Sequence, residues 1–446
     1  MTALCPIATT PARLALGILG ADDLRRVHAA ALALLGAEGA AAEKAARLAP
    51  DTVVLGGRVY EHHTVLGARH CWLGTGGPAP RVRPREGGDP RPATAADLDE
   101  ACRLADALPE VAVVHGPPVR AAGETLLADL ARCFAATSKH VQLTTLRSAD
   151  EARAVLRMAV AVAGSEVELR GRPPVSLCAG ADALGAASVF ARAGLPVGIV
   201  AAPNGRAAAA GGDPADLPVD LGAALVRHHA GVLAACAAIQ ATVPRAPFFY
   251  VADPALAGLA AGSPAAAMFQ IAATQLAAHI GLPVSAVGMT TGSHEPDWQA
   301  CTQNAFAALS SMAAGADLTA GAGTLGGGSV FSAQQLVMDS EIYSWNARIV
   351  AGVMVDDESI ALDVIKQVDI GGNFLGQRHT RKHMKDVWRP RLLDRGMWDA
   401  WVACGREGAY EKASALVDEH LAEHRVLPLG DEVTAKLARI VAEAGL

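Results

Sequence analysis

The chain has 446 residues, of which 51% are hydrophobic and 19% are charged, and its formal net charge is −7. This length and balance suit one large or two medium globular domains. The net negative charge argues against a nucleic-acid partner held by a broad basic surface.

The sequence indicates neither membrane insertion nor export. The longest apolar runs, such as 184–190 and 195–203, are too short to span a bilayer. The stretch from Met1 to Leu19 carries no basic segment ahead of its apolar residues, so we identify no signal peptide. The eight cysteines are scattered and form no CxxC pair, as in a reduced intracellular protein. We therefore expect a cytoplasmic protein without a membrane partner.

Histidine spacing gives no indication of a metal site. His62 and His63 are adjacent, as are His228 and His229, and neighbours on a regular element cannot both face one ion. We expect this chain to bind no metal.

The first ninety residues are predicted to form a cap. Two short helices, 24–35 and 40–48, are followed at 53–60 by a hairpin pattern with a Gly-Gly turn. Residues 74–92 are rich in Gly, Pro and Arg and indicate a loop. We place the boundary of the N-terminal cap, 1–93, at the end of this loop, where Thr94 caps the next helix.

Short apolar segments then alternate with helical patterns. The predicted strands are 111–115, 141–146, 175–179, 197–201, 248–252, 284–288 and 316–319, with an eighth near 365–370. The predicted helices between them are 125–135, 148–163, 182–193, 221–241, 265–280 and 299–314. Continuous apolar strands alternating with helices indicate a parallel sheet covered on both faces. The strand count favours an α/β fold of the (β/α)8 TIM-barrel type, spanning 94–394, over an open doubly wound sheet.

Two further patterns complete the outline. The turn after the first predicted strand, 113–118, is not GxGxxG, so a dinucleotide site is weakly indicated. Polar amphipathic helices at 410–424 and 431–443 predict a C-terminal helical extension, 395–446, packed outside the barrel.

A glycine-rich stretch, 321–329, follows the seventh strand and precedes a helix with clear start signals. Ser332 is the predicted N-cap, Gln335 its capping-box partner, and Phe331 and Leu336 the flanking hydrophobic staple. Unpaired N–H groups of the glycine loop, next to a helix N-terminus, would form a binding rim.

The helix after this loop carries an apolar stripe. Met338, Ile342, Trp345 and Ile349 recur at helical spacing and are expected to face the core. Glu341 lies at the edge of that stripe. It could pair with an arginine on its own helix, Arg348, or supply countercharge to a cation in a site of low dielectric.

In such a barrel the active site lies at the carboxyl ends of the strands. The fifth predicted strand and its end read Phe248-Phe249-Tyr250-Val251-Ala252-Asp253-Pro254, with three aromatic residues in a row in a chain that is only 4% aromatic. These rings could pack the barrel. Alternatively, Tyr250, with Phe331 of the glycine loop, could offer a ring face to a cationic nitrogen.

Two further loops supply polar candidates. After the sixth strand come His294, Asp297 and Gln299, although Asp297 could simply cap the following helix. The stretch 371–380 contributes four more candidates, which are Asn373, Phe374, Arg378 and His379. For His379 a helix-capping or solvent-facing role stays open.

The stretches QQLVMDSEI (334–342), GGNFLGQRHT (371–380) and WRPRLLDR (388–395) together resemble the trimethylamine:corrinoid methyltransferase family. The resemblance covers most of the chain and is most specific between about 281 and 430. The family pattern after strand six, Thr-Asp-Ser-Lys then Asp-x-Gln, is matched only by Asp297 and Gln299. Gly292 replaces the acid, His294 stands near the lysine, and nothing here stands in for the pyrrolysine of the archaeal enzymes.

The resemblance implies a branch without pyrrolysine, acting on a quaternary amine such as glycine betaine. The methyl group would pass to the Co(I) of a corrinoid carried by a separate corrinoid-binding protein. The stretch Asp418-Glu419-His420 is similar to the start of a cobalamin-binding DxHxxG loop, but Glu423 stands at the glycine position. We interpret it as a solvated helix, and expect no corrinoid held by this chain.

The predicted roles follow from this assignment. Glu341, Asp297 and His294 are the candidate catalytic residues. The substrate-binding set is Tyr250, Gln299, Phe331, Asn373, Phe374, Arg378 and His379. Two other functions stay open: a barrel that binds or senses a methylated amine without turnover, and an unrelated lyase or isomerase with His294 or His379 as base. Apolar, alanine-rich helices favour a homo-oligomer.

Overall fold

The computed structural model describes residues 14–144, 146, 148–201, 220–368 and 370–444. Fourteen strands lie in these ranges: β1 Val53–Leu55, β2 Thr64–Leu66, β3 Trp72–Thr75, β4 Arg81–Val82, β5 Arg91–Pro92, β6 Val111–Gly116, β7 His140–Leu143, β8 Val175–Ala179, β9 Val197–Ile199, β10 Phe248–Ala252, β11 Val284–Ala286, β12 Leu318–Ala322, β13 Thr324–Leu325 and β14 Val330–Phe331. Eight of them, β3, β6–β12, form one closed barrel in which every neighbouring pair is parallel. The predicted (β/α)8 barrel is confirmed.

The helices described in the same ranges are α1 Ala21–Leu34, α2 Gly39–Arg47, α3 Ala95–Ala107, α4 Leu126–Ala136, α5 Ala149–Ala163, α6 Glu166–Gly171, α7 Leu184–Ala193, α8 Leu221–Gln240, α9 Pro264–Ile280, α10 Trp298–Ala314, α11 Ala333–Val350, α12 Asp357–Ile360, α13 Leu362–Gln367, α14 Arg378–His383, α15 Trp398–Ala403, α16 Ala409–Glu423 and α17 Asp431–Ala444. Those from α3 to α11, apart from the short α6, follow successive barrel strands and cover the outside of the sheet. All six helices predicted between strands are present, with ends shifted by at most two residues.

The barrel begins earlier than the sequence indicated. Its first strand is Trp72–Thr75, which pairs with both β12 and β6 and thereby closes the ring. The sequence analysis missed this strand because it has only four residues, and the last two, Gly74 and Thr75, lie in the stretch 74–92 that was predicted as a loop. A domain boundary at residue 93 stays a prediction, but the barrel itself already includes β3, which precedes this boundary.

The predicted eighth strand, 365–370, is wrong. Leu362–Gln367 is a short helix, and Ile365 and Ile370 are 52% and 104% exposed. Trp72–Thr75 pairs with both β12 and β6 and completes the ring of eight strands, so the barrel has no free strand edge with which residues 365–370 could pair.

A two-stranded hairpin closes the amino end of the barrel. β1 and β2 are antiparallel, with Val53 opposite Leu66, and their side chains pack with Trp72 in an apolar cluster within the barrel. The hairpin was predicted with its turn at Gly56-Gly57. Instead both glycines are in close packing, since a Cβ on Gly56 would lie 2.6 Å from the backbone of Arg172.

The glycine loop and α11 follow the last barrel strand. Ser332 caps α11 as predicted, its hydroxyl accepting from the N–H of Gln335 at 3.3 Å. The stripe prediction holds for Met338 and Ile342, which pack in or against the core, but is wrong for Trp345 and Ile349, which are 46% and 43% exposed. The face of α11 that packs on the barrel instead includes Leu336, Ser340, Tyr343, Ala347 and Val350.

The two C-terminal helices lie outside the barrel. α16 packs against α11 and α3, and α17 packs against α4 and α5. Asp106 at the end of α3 anchors this region, because its carboxylate accepts from Thr137, Ser138 and His424. These contacts place the extension against the helix layer, away from the barrel interior.

Candidate functional site at the carboxyl end of the barrel

The direction of side chains along β10 defines the inside of the barrel. Phe249 and Val251 lie in the apolar cluster of the lumen, whereas Phe248 and Tyr250 pack in the surrounding layer of helices. Successive side chains of a strand alternate between faces, so Asp253, two residues beyond Val251, continues the inward series. A carboxylate is thereby placed at the carboxyl end of the barrel.

Three other strands, β6, β7 and β8, add four polar groups to the same region. His115 lies two residues beyond Val113, and Thr144 two residues beyond Gln142, on the inward faces of β6 and β7. The Gln142 amide nitrogen lies 2.6 Å from Sγ of Cys178, a lumen residue of β8. We call His115, Gln142, Thr144, Cys178 and Asp253 the lumen layer.

Several atoms of the lumen layer are buried without partners. His115 Nδ1, Gln142 Oε1 and Thr144 Oγ1 have no hydrogen-bond partner among the described residues. A buried polar atom left unpaired costs about 1–3 kcal/mol, so three of them around one lumen call for an explanation. A polar ligand held there would satisfy them.

The protonation states of the lumen layer follow from burial. Burial lowers the pKa of His115 to about 4, so its ring is neutral at pH 7. Burial, opposed by the hydrogen bond from Gln142 and reinforced by the charge of Asp253, raises the pKa of Cys178 to about 12. The thiol is therefore protonated and a poor nucleophile. The layer offers neutral hydrogen-bonding groups and one carboxyl group.

Asp253 is the charged member of the layer. Burial raises its pKa, while the backbone N–H groups of Ala255 and Leu256 act in the opposite direction. The side chain is nevertheless only half-buried. Among the described residues no Lys, Arg or His forms an ion pair with it. A cation beside it would offset its desolvation.

The two ends of the lumen layer lie on opposite walls. In the ring of eight strands, β6 and β10 are four places apart, so His115 and Asp253 extend from facing sides. Small residues, including Gly180 just beyond β8 and Ala320 of β12, lie on strands between these two walls. A ligand across the lumen would meet a carboxyl group at one wall and neutral hydrogen-bonding groups at the other.

Tyr250, predicted to line the site, lies outside the barrel lumen. It is completely buried, its ring is edge-on to His228 with 5.2 Å between centroids, and its hydroxyl lies 3.4 Å from His229 Nδ1. In this structure Tyr250 packs β10 against α8. The inward aromatic residue is Phe249, which is also fully buried.

The loop after β11 lies at the rim of the barrel. Asp297 caps α10, its carboxylate accepting from Ala300 N–H at 3.0 Å and from the Ser293 hydroxyl at 2.8 Å. His294 and Gln299 are exposed, and a Cβ on Gly326 would lie 3.1 Å from His294 Nδ1. The structure therefore brings His294 beside the glycine loop, but not into the lumen.

Glu341 lies on α11, outside the barrel. It is 3% exposed, and its carboxylate accepts from the backbone N–H of Arg391 at 2.9 Å and lies 3.4 Å from the Arg391 side chain. Its ion partner is thus Arg391, whereas Arg348 bonds to a backbone carbonyl of Gly352. These contacts give Glu341 a role in holding the C-terminal segment.

Phe331 and the glycine loop form a buried support beside the rim. Phe331 pairs with Val82 of β4, and a Cβ on Gly323 would lie 2.9 Å from its ring. We predicted unpaired N–H groups in this loop, and for three of its glycines the prediction is wrong. Gly323, Gly326 and Gly327 donate to Asp339, Ser293 and Thr291, respectively. The backbone of this loop is used to build the rim.

The remaining predicted site residues lie in one exposed segment. Asn373 accepts from the N–H of Leu375 at 2.7 Å, and His379 Nε2 lies 2.8 Å from the carbonyl of Glu358. These partners belong to the same segment, and Phe374 and Arg378 are exposed beside them. The structure does not bring any of the four to the lumen layer.

Sequence reasoning missed the five residues of the lumen layer. A signal was present, since each is a polar residue or cysteine within or just beyond a predicted strand, on the inward parity. The sequence does not reveal which parity is inward, because a buried parallel strand is apolar on both faces.

The chain is a (β/α)8 barrel, a fold whose enzymes carry the active site at the carboxyl end of the strands. Residues 33–444 match the family model described as trimethylamine methyltransferase (MTTB). The chain belongs to this family and is a methyltransferase of it, which confirms the family resemblance of the sequence.

The similar proteins carry two names. A trimethylamine methyltransferase MttB from Desulfitobacterium hafniense is 31% identical over 434 residues, which cover 90% of this chain and 82% of that protein. The MttB of Methanosarcina barkeri is 33% identical over 57% of this chain and 51% of its own length. A glycine betaine methyltransferase from D. hafniense strain Y51 is 32% identical over 51% of this chain and 49% of its own.

A solved structure is also similar. The crystal structure of the hydroxylamine MtmB complex matches 92% of this chain and 89% of that one, with a TM-score of 0.46 and 9% identity. Among the described helices, α8 is long and apolar enough to cross a membrane, but it packs against α1, α2 and α9 as a barrel helix.

Proposed function

We propose that this protein transfers a methyl group from a betaine-like quaternary amine to the Co(I) of a corrinoid held by a separate protein, in the cytoplasm. The observation that carries the proposal is the half-buried carboxyl group of Asp253, which has a raised pKa and no cationic partner among the described residues. A quaternary ammonium is a cation that cannot donate a hydrogen bond, so it suits a wall with a single carboxylate.

The opposite wall suits the acceptor end of a betaine. His115 Nδ1 and Thr144 Oγ1 are buried without partners, and both groups can donate a hydrogen bond to a carboxylate. These two groups would bind the carboxylate in place of Arg378, His379 and His294, which lie away from the lumen layer. Glycine betaine, with ammonium and carboxylate at its two ends, is therefore the substrate that we favour.

The chemistry needs little from the protein. The carbon–nitrogen bond would break with its electron pair staying on nitrogen, which leaves as a neutral tertiary amine, while the Co(I) of the carrier would supply the electron pair for the new bond to carbon. No general acid is required, which fits a lumen whose histidine is neutral and whose thiol is protonated. The residues of the lumen layer would desolvate the cation, orient its methyl group and exclude water.

One observation on the C-terminal helices supports a separate carrier for the corrinoid. Asp418 and His420 lie within the helix α16, and Asp418 pairs with Arg85, so this stretch does not fit a corrinoid-binding loop. The corrinoid would reach the substrate from the open, carboxyl end of the barrel.

The test combines binding and turnover. Calorimetry should show that wild-type protein prefers glycine betaine to the isostere in which carbon replaces the charged nitrogen. Asp253→Asn should lose that preference, with betaine affinity reduced about 30-fold or more, because removing one charge of a buried pair costs about 2–5 kcal/mol. The matched control Asp150→Asn changes an exposed aspartate on α5 and should bind as wild type.

Turnover separates the proposal from its alternatives. Added Co(I) corrinoid should be methylated by wild-type protein with betaine, and much more slowly by Asp253→Asn. Betaine binding without methyl transfer would instead identify a binding or sensing barrel. Turnover in the absence of any corrinoid would identify a lyase or isomerase, and equal affinity for betaine and its isostere would overturn the role of Asp253.

A further inference from the structure

Three polar side chains of the lumen layer lie close together on two neighbouring strands. His115 of β6 and Gln142 of β7 are direct partners in the register of the sheet, and both lie on the inward parity. Neighbouring strands are about 4.8 Å apart. Thr144 follows two residues after Gln142 on the same face, about 7 Å further along the strand direction. The three side chains therefore share one small area of the wall.

Each of the three side chains has a buried polar atom without a partner among the described residues. These atoms are His115 Nδ1, Gln142 Oε1 and Thr144 Oγ1. Because they lie in one area, a single ligand group with several hydrogen-bonding sites would satisfy them together. A carboxylate accepts about four hydrogen bonds and donates none. It would fit this area if all three side chains presented donors.

The orientation of the Gln142 amide decides whether it presents a donor or an acceptor. Its Nε2 lies 2.6 Å from Sγ of Cys178, and its Oε1 is unpaired. A half-turn of the amide group exchanges nitrogen and oxygen without moving the rest of the side chain. After the half-turn the Cys178 thiol donates to Oε1, and the two N–H donors of Gln142 lie at the end of the amide that points away from Cys178.

The Cys178 thiol favours the half-turned orientation. Burial raises the pKa of Cys178 to about 12, so the sulfur carries a proton near neutral pH and has an S–H to donate. Among the described residues Gln142 is its one hydrogen-bond partner. Sulfur is a weak acceptor, whereas an amide oxygen is a strong one, so S–H to Oε1 is the better pairing. It also removes the cost of an unpaired buried oxygen.

We propose that Gln142, oriented by Cys178, makes the lumen selective for quaternary amines that carry a carboxylate. Its N–H would bind this carboxylate together with the Thr144 hydroxyl and a ring N–H of His115. Gln142 is then a specificity-determining residue, and Cys178 is a positioning residue because it acts through Gln142. The inference rests on the proposed function for the class of ligand, and it adds which substituent of the amine is recognised.

Neutral donors suit a carboxylate that lies close to an ammonium group. In glycine betaine a single carbon separates the two charged groups. A lysine or arginine placed at the carboxylate would therefore also repel the ammonium group over a short distance in a site of low dielectric. The lumen layer contains neither residue type. Amide, hydroxyl and imidazole donors bind the carboxylate without this repulsion.

Calorimetry with glycine betaine and choline tests the selectivity. Choline has the same trimethylammonium group but a hydroxyl in place of the carboxylate, so the wild-type protein should prefer betaine. Gln142→Met keeps the length of the side chain and removes the amide. It should lower betaine affinity about tenfold or more, as expected for a lost hydrogen bond to a charged group, and leave choline affinity unchanged.

A matched control separates selectivity from general damage to the fold. Gln270 is also a buried glutamine, 2% exposed, but it lies on α9 outside the lumen. Gln270→Met should keep the wild-type preference for betaine over choline. Circular dichroism checks the fold of each variant.

Two substitutions of Cys178 test the positioning role, and they test the same selectivity if Gln142→Met does not fold. Cys178→Ser keeps a donor for Gln142 Oε1 and should retain the preference for betaine. Cys178→Ala removes this donor and should lower betaine affinity several-fold while choline affinity stays the same. Equal losses for both ligands in Cys178→Ala, or no loss at all, would overturn the positioning role.

The outcomes distinguish this inference from the proposed function. Equal affinity of the wild-type protein for betaine and choline, or an unchanged preference in Gln142→Met, overturns the inference and leaves a quaternary-amine methyltransferase intact. A clear betaine preference without methyl transfer to added Co(I) corrinoid overturns the proposed function and leaves the inference standing. A wild-type protein that binds neither ligand overturns both.

Discussion

The carboxylate of Asp339 accepts a hydrogen bond from the backbone N–H of Gly323 at 2.8 Å. This contact links α11, through its buried residue Asp339, to the glycine loop at the rim of the barrel. The same carboxylate accepts from the side-chain amides of Asn304 and Gln335, both at 2.8 Å. The loop that looks like a flexible anion-binding rim in the sequence is fixed from beneath by one buried aspartate.

We expect Asp339→Asn to loosen this loop. The new amide group must face either the Gly323 N–H or the two neighbouring amides, so at least one buried donor loses its acceptor. The free energy of unfolding should fall by about 1–3 kcal/mol. Urea unfolding measures the loss, and hydrogen exchange should rise within 321–329. The exposed control Asp150→Asn should change neither quantity, and an unaltered Asp339→Asn protein would show that the contact is unimportant.

Tyr250→Leu distinguishes a packing role from a ligand-binding role. Tyr250 is fully buried against α8, so the variant should lose about 1–3 kcal/mol of stability, as should Phe190→Leu, a buried aromatic control on α7. Its affinity for a quaternary amine should stay at the wild-type value. A ring that held the cation would contribute about 2 kcal/mol. An affinity reduced about 30-fold in Tyr250→Leu alone would therefore restore the aromatic-cage interpretation.

Glu341→Gln should act on the C-terminal segment. The variant keeps an acceptor for the Arg391 N–H but loses the charge opposite the Arg391 side chain. We expect faster proteolytic cleavage between 353 and 395 and an unchanged KM for the substrate. The exposed residue Glu166 on α6 provides the control Glu166→Gln, which should be cleaved at the wild-type rate. A raised KM in Glu341→Gln would instead support countercharge to a bound cation.

Acid should destabilise the contact between the N-terminal helices and the barrel. Burial, and then the charges of His28, His228 and His279, lowers the pKa of His229 to about 3. Its ring lies 2.9 Å from His28 Nδ1 and also faces the Tyr250 hydroxyl, while Glu43 lies 3.4 Å from the other nitrogen of His28. In the unfolded chain a histidine has a pKa of about 6.5.

The sign of the pH effect follows. Between the two pKa values the unfolded state binds more protons than the folded state. The stability that neutral His229 contributes is therefore complete above about pH 6.5 and is lost as the pH falls toward 3. From pH 7 to 5 the wild-type protein should lose about 2 kcal/mol more than His229→Gln. Urea unfolding at the two pH values measures this difference. The exposed control His294→Gln should follow the wild type, and parallel curves for all three proteins would contradict the prediction.

Local sequence patterns were sufficient to predict most of the barrel strands. The seven predicted strands exist because each is a short apolar run between helical patterns, and such runs bury both faces in a parallel sheet. The N-caps Thr94 and Ser332 also act as predicted, since a cap depends on neighbours three residues away. Closure of the ring was not readable, because Trp72–Thr75 pairs with β12, which is more than 240 residues distant in the chain.

The candidate site was harder to predict. Tyr250 and Phe249 are neighbours of the same chemical type, and only the tilt of β10 within the closed ring decided that Phe249 faces inward. Asp253 was passed over because a polar residue after a strand is usually part of a turn. Glu341 was chosen from its place on a helix, but its partner, Arg391, comes from a segment fifty residues later.

The sequence by itself determined the family, the alternation of strands and helices, and the caps, because these depend on residue types at short and regular spacings. Tertiary structure alone decided which side chains share the lumen, how charge and burial set their pKa values, and that no described residue of 353–387 is buried. These properties depend on distances between residues far apart in the chain, and no local pattern encodes such distances.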